Sequence, residues 1–90
     1  MTNVIQAIAL PNGDSVVLLE WEGQPETFCN LQRHDASGRV IWTATPAHPF
    51  DAVWTRLQME AGCLTANSWS SYCDEIDCDS GRVLKRTFVK

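Results

Sequence analysis

The sequence has no apolar run long enough to cross a bilayer; the longest, such as Val16-Val17-Leu18-Leu19, are only strand-sized. Basic residues are also few: Lys and Arg total 7 against 11 Asp and Glu, giving a net charge of −4 and a pI near 4.9. Nucleic-acid binding leaves a basic footprint, so that class of partner is not expected, and neither is a membrane. Met1-Thr2-Asn3 leads into a strand-like segment with neither a basic n-region nor an apolar h-region, so the expected location is cytoplasmic. A reducing compartment then favours free thiols at Cys29, Cys63, Cys73 and Cys78.

What the chain does have is enough apolar material for one core. Apolar residues make up 44% of the 90, which suits a globular chain and not a disordered one. A domain of this size buries roughly 60–65% of its unfolded surface. Self-association would supplement so thin a core. We therefore expect a single domain over 1–90, and a homo-oligomer.

Turn signals divide the chain into short strands. Asn3 to Leu10 is stopped by Pro11-Asn12-Gly13-Asp14, where Asn-Gly tolerates positive φ. Ser15 to Trp21 follows, then Thr27 to His34 and Arg39 to Thr45, a four-stranded antiparallel meander. Pro46-Ala47-His48-Pro49 excludes a central strand and stiffens the connection. It separates unit 1–46 from unit 50–90. In the second unit, residues 51–61 carry two patterns. Asp51 as cap, Gly62 as stop and a stripe of Val53, Trp54, Leu57 and Ala61 describe a helix. Val53, Thr55, Leu57 and Met59 on one face describe a strand, which repeat logic favours. Cys63 to Trp69, Ser71 to Asp77 and Arg82 to Val89 complete the second meander, making an all-β chain of about eight strands.

Ser-Gly-Arg-Val closes a hairpin in each unit, with Gly38 and Gly81 43 residues apart. These hairpins resemble the blade repeat of quinoprotein-like (PQQ-type) β-propellers, whose pattern runs Ala-x-Asp-x-x-Thr-Gly-x-x-x-Trp. In the first unit Ser37, Gly38 and Trp42 fit, with Gln32 and His34 in place of the alanine and aspartate. In the second Asp77, Ser80 and Gly81 fit, with Glu75 and Lys85 in place of the alanine and tryptophan. The resemblance implies blade-like four-stranded sheets. It carries no quinone cofactor here, because no cofactor-binding residue can be placed. Two blades cannot close a ring, so the sheets either pack on each other as a sandwich or join further copies.

No residue set builds a catalytic or metal site. Cys73 and Cys78 are separated by four residues, but neither histidine completes a zinc set. Cys29 with His34, or Cys63 with His48, has no supporting motif. The cluster Asp74, Glu75, Asp77 and Asp79 reads as a charge ladder against Arg82, Lys85, Arg86 and Lys90. Aromatic residues are the better candidates. Trp54, Trp69 and Tyr72, with His48 before them, combine rings and hydroxyls suited to a protein partner or a flat ligand such as a sugar. The same rings would equally fill a core or an oligomer interface. The reading is a non-enzymatic interaction or assembly module that self-associates or binds another protein. A small-ligand or carbohydrate binder is the alternative.

Overall fold

The computed structural model describes residues 3–25, 27–48 and 51–89. It is all-β among them, with β1 (Val4–Ala9), β2 (Ser15–Leu19), β3 (Leu31–His34) and β4 (Val40–Thr43) in one antiparallel sheet. A second antiparallel sheet holds β5 (Trp54–Glu60), β6 (Cys63–Ser68), β7 (Tyr72–Ile76) and β8 (Val83–Phe88). Each sheet is a plain meander, and the two pack together without closing a barrel. No helix is long and apolar enough to cross a membrane among the described residues. Pro49 of the junction and Phe50, which opens the second unit, lie outside the described residues.

Residues 51–61 hold a strand and not a helix, and a bulge explains the helix-like spacing. The register of β5 on β6 shifts between Trp54 and Arg56, so Trp54 opposite Ser68 and Leu57 opposite Ala66 fall on one face. A three-residue spacing on one face is what a β-bulge produces when it inserts a residue. The inward face is therefore Trp54, Leu57 and Met59, without Val53 or Thr55. The turn to β6 places Ala61 (φ 50) and Gly62 (φ 79) both at positive φ, the geometry of a two-residue hairpin turn. The third strand begins at Leu31, later than the sequence pattern indicates, because Asn30 has another role.

Asn30 is fully buried and joins the sheets. Its amide nitrogen donates to the carbonyls of Leu19 (2.9 Å) and Trp54 (2.7 Å), and its oxygen accepts from Trp54 N–H at 2.8 Å. One core cluster then takes Val16, Leu18, Leu31, Trp42 and Ala44 from the first sheet. Trp54, Leu57, Leu64, Ala66 and Ile76 come from the second.

The strand registers show that the sheets repeat each other. Both first strands carry a bulge at their start, between Val4 and Gln6 and between Trp54 and Arg56. Beyond it, Gln6 faces Leu18 as Arg56 faces Asn67, and Leu18 faces Leu31 as Asn67 faces Cys73. Arg33 opposite Trp42 matches Glu75 opposite Lys85. The apolar face of the first sheet (Leu18, Leu31, Trp42) thus corresponds to the polar face of the second (Asn67, Cys73, Lys85). What the first sheet meets is the opposite face of its neighbour, carrying Leu57, Leu64, Ala66 and Ile76. Front packs on back.

Trp42 fixes the outer end of that seam. Its indole N–H donates to the Cys78 carbonyl at 2.7 Å, and Arg33 Nη1 donates to the same oxygen at 2.7 Å. A Cβ at Gly81 would lie 2.5 Å from the Trp42 ring, so only glycine lets the indole lie on that turn.

Candidate functional site

The end of the molecule carrying the β6–β7 turn gathers most of the aromatic candidates. Ser71 sits at φ 74, and the turn is tied by Ser71 N–H to the Ser68 carbonyl (3.2 Å) and Tyr72 N–H to Ser68 Oγ (3.1 Å). Trp69 N–H donates to the Val53 carbonyl at 3.1 Å. The turn therefore has little backbone freedom, yet the Trp69 side chain projects from it with 70% exposure. Trp21, which follows β2 in the first sheet, meets it with ring centroids 6.2 Å apart and planes inclined at 59°. The pair bridges the two sheets at the surface.

A charged network joins the same turn through Ser70. Asp74 is fully buried and its carboxylate accepts from the Trp54 indole N–H at 2.9 Å and from Arg86 Nε at 2.8 Å. Arg86 also pairs with Asp51. Asp51 accepts from the Ser70 hydroxyl at 2.5 Å, and Ser70 shares a 3.1 Å hydrogen bond with Ser68. The guanidinium carbon stands 4.1 Å over the Tyr72 ring, a cation–π arrangement. Tyr72 in turn meets Phe88 edge-on at 5.3 Å. Burial alone would lower the Arg86 pKa, but its hydrogen bonds to Asp74 and Asp51 outweigh this and raise it above the usual value. The cation is fixed, and no buried side-chain polar atom among the described residues lacks a partner.

The sequence candidates therefore separate. Trp69 and Tyr72 lie on one turn and its strand. His48 is tied to the same end by its carbonyl, which accepts from Asp51 N–H at 3.0 Å. Trp54 is not a surface residue: it is 0% exposed, and its indole N–H is held by Asp74. Asp74 pairs with Arg86 across the hairpin, as the charge ladder expects, but is buried and not solvated, and Glu75 stands opposite Lys85. Trp21, Asp51 and Arg86 belong to this end but escape sequence reading, since they come from distant segments with no shared motif.

The remaining chemistry-bearing groups are dispersed. All four cysteines are free. Burial raises the thiol pKa of Cys29 and Cys78, and also that of Cys63, where Glu75 adds to the effect. A protonated thiol is a poor nucleophile. No group of three or more His, Cys, Asp or Glu side chains is placed to hold a metal among the described residues. A cleft of about 500 Å³ between the sheets is lined by Leu10, Pro11, Met59 and Cys78. Arg33 lines it too, but is paired with Asp14 at 2.7 Å.

The chain belongs to a family described as a domain of unknown function, DUF7957, which it matches over residues 1–88. No curated protein and no solved structure matches the chain.

Proposed function

We propose that this family member is a non-enzymatic interaction module of the cytoplasm that binds another protein through the end bearing Trp69. The observation that carries the reading is a tryptophan 70% exposed on a turn whose backbone is held at three points. Large aromatic side chains on rigid supports dominate binding energy at protein contacts because they bury much area and lose little entropy. The network at that end supports the surface by engagement of its charges. Asp51 and Asp74 are both paired with Arg86. With Trp54 in the core, the rings at this end left for a sugar to stack on are the tilted Trp21–Trp69 pair and Phe88. The four free thiols agree with a reducing compartment.

Affinity capture from cells with the wild-type chain and Trp69→Ala, compared quantitatively, tests the reading. Loss of a hot-spot tryptophan costs about 2 kcal/mol or more, some 30-fold in affinity. At least one protein, or a second copy of the chain, should therefore be retained by wild type and depleted by more than tenfold in the variant. Equal thermal stability of the two chains rules out an effect on folding. A capture profile unchanged by Trp69→Ala would overturn the proposal.

A further inference from the structure

The chain has asparagines at 3, 12, 30 and 67, and only Asn12 precedes a glycine. The order matters because the main-chain nitrogen of the next residue can attack an asparagine side chain, and a β-carbon on that residue hinders the approach. Asn3 precedes the β-branched Val4. Asn30 is fully buried with its amide engaged between the sheets, and Asn67 sits inside β6 opposite Cys73. Asn12 and Gly13 are instead exposed in the turn from β1 to β2, with Gly13 at φ 92. This turn lies at the opposite end of β2 from Trp21.

Hydrogen bonds hold both reacting groups of the turn. Gly13 N–H donates to the Leu10 carbonyl at 3.1 Å, so its proton is shielded while the turn is closed. Asp14 grips the amide at both ends: its main-chain N–H donates to Asn12 Oδ1, and its carboxylate accepts from Asn12 Nδ2, each at 3.1 Å. The same carboxylate oxygen accepts from Arg33 Nε at 3.1 Å and Nη2 at 2.7 Å. Arg33 in turn holds the Cys78 carbonyl beside the Trp42 indole. The Asn12 amide thus ends a chain of bonds that begins at the seam between the sheets.

We propose that Asn12 is a modification site, deamidated through a cyclic imide, and that the Asp14–Arg33 pair sets the rate by holding the turn closed. When the turn opens, the Gly13 nitrogen gives its proton to solvent and bonds to Asn12 Cγ. The Cγ–Nδ2 bond breaks, and the nitrogen leaves as ammonia with a proton from solvent. Water then opens the imide. Cleavage at Cγ gives aspartate; cleavage at the main-chain carbonyl carbon gives isoaspartate, whose chain runs through the former side chain. In either product the Asp14 carboxylate loses a donor and gains a like charge as neighbour. The cleft that Asn12 and Arg33 both line gains a negative charge.

Peptide mapping by mass spectrometry, on the full chain held at mildly alkaline pH, reads the conversion from the mass increase of an amide becoming an acid. Product should accumulate at Asn12 before any appears at Asn3, Asn30 or Asn67. Asp14→Ala frees the amide and releases Arg33, and should speed conversion about tenfold, the factor that one hydrogen bond to a charged group supplies. If that variant does not fold, the wild-type chain unfolded in urea replaces it, with the same expected factor or more. Folded wild type with no product at Asn12 once the faster chain has converted completely, or with product first at another asparagine, overturns the site. Folded wild type that converts as fast as the unfolded chain, or a folded Asp14→Ala chain no faster than wild type, overturns control by the ion pair.

Discussion

The side-chain amide of Gln6 pairs with the main chain of Leu57 as a neighbouring strand would. Gln6 Nε2 donates to the Leu57 carbonyl at 2.8 Å, and Leu57 N–H donates to Gln6 Oε1 at 2.8 Å. Asn30 makes the same two-bond ring with Trp54, at 2.7 and 2.8 Å. Strand β5 is the first of its sheet, and its outer edge would otherwise present unpaired amides against the neighbouring sheet. Two side-chain amides from the first unit satisfy it, which joins the sheets by directional bonds as well as by apolar contact.

Removal of either amide should therefore weaken the whole domain. Asn30→Ala leaves the Trp54 N–H and two carbonyls buried without partners, and each such group costs about 1–3 kcal/mol. We expect a loss of about 3 kcal/mol for Asn30→Ala and about 1–2 kcal/mol for the less buried Gln6→Ala, read from urea denaturation midpoints. Losses below 0.5 kcal/mol in both would show that the amides do not hold the seam.

The two repeat glycines should respond differently to the same change. Gly38 and Gly81 both adopt positive φ, 90 and 77°, which costs an alanine about 1–2 kcal/mol. Only at Gly81 does the added Cβ also meet the Trp42 ring, at 2.5 Å. Gly81→Ala should thus destabilise by about 2 kcal/mol more than Gly38→Ala, in the range typical of overpacking. Near-equal melting temperatures for the two variants would place the indole elsewhere in solution.

Acid should weaken both hairpin tips. Hydrogen bonds from the Ser37 hydroxyl and from the Arg39 backbone lower the Asp35 pKa below its ordinary 3.8. Those from the Asp79 backbone and the Ser80 hydroxyl do the same for Asp77. A depressed carboxylate pKa contributes stability that is present above the unfolded value and is lost as pH falls through the folded one. Thermal melts should hence show a decline that starts near pH 4 and continues below it. Asp35→Asn with Asp77→Asn should flatten that segment of the curve; an unchanged acid limb would show that these turns do not contribute.

Much of the fold is legible in the sequence because its signals are local. Asn12-Gly13, Ser37-Gly38 and Ser80-Gly81 mark turns by backbone chemistry alone, and the strands between them follow. The strand at 54–60 is legible only in part, because the bulge after Trp54 gives it a helix-like spacing. The site is less legible still. Trp69 and Tyr72 adjoin in sequence and stay together in space, whereas Arg86 reaches them by strand pairing within the second sheet, Asp51 from the segment before β5, and Trp21 only through the packing of the sheets.

Composition and turn chemistry by themselves determined an all-β chain of two similar meanders, since alternation and positive-φ residues act within a few residues of one another. Tertiary structure alone decided which tryptophan is which. Trp54 and Trp69 are chemically identical, and each stands next to a hydroxyl residue, Thr55 in one case and Ser68 and Ser70 in the other. Front-to-back packing puts one at the sheet interface, where Asp74 satisfies its indole N–H, and leaves the other at the rim beside Trp21. That outcome depends on register and on the offset of one sheet from the other, relations between residues far apart in the chain that no local pattern encodes.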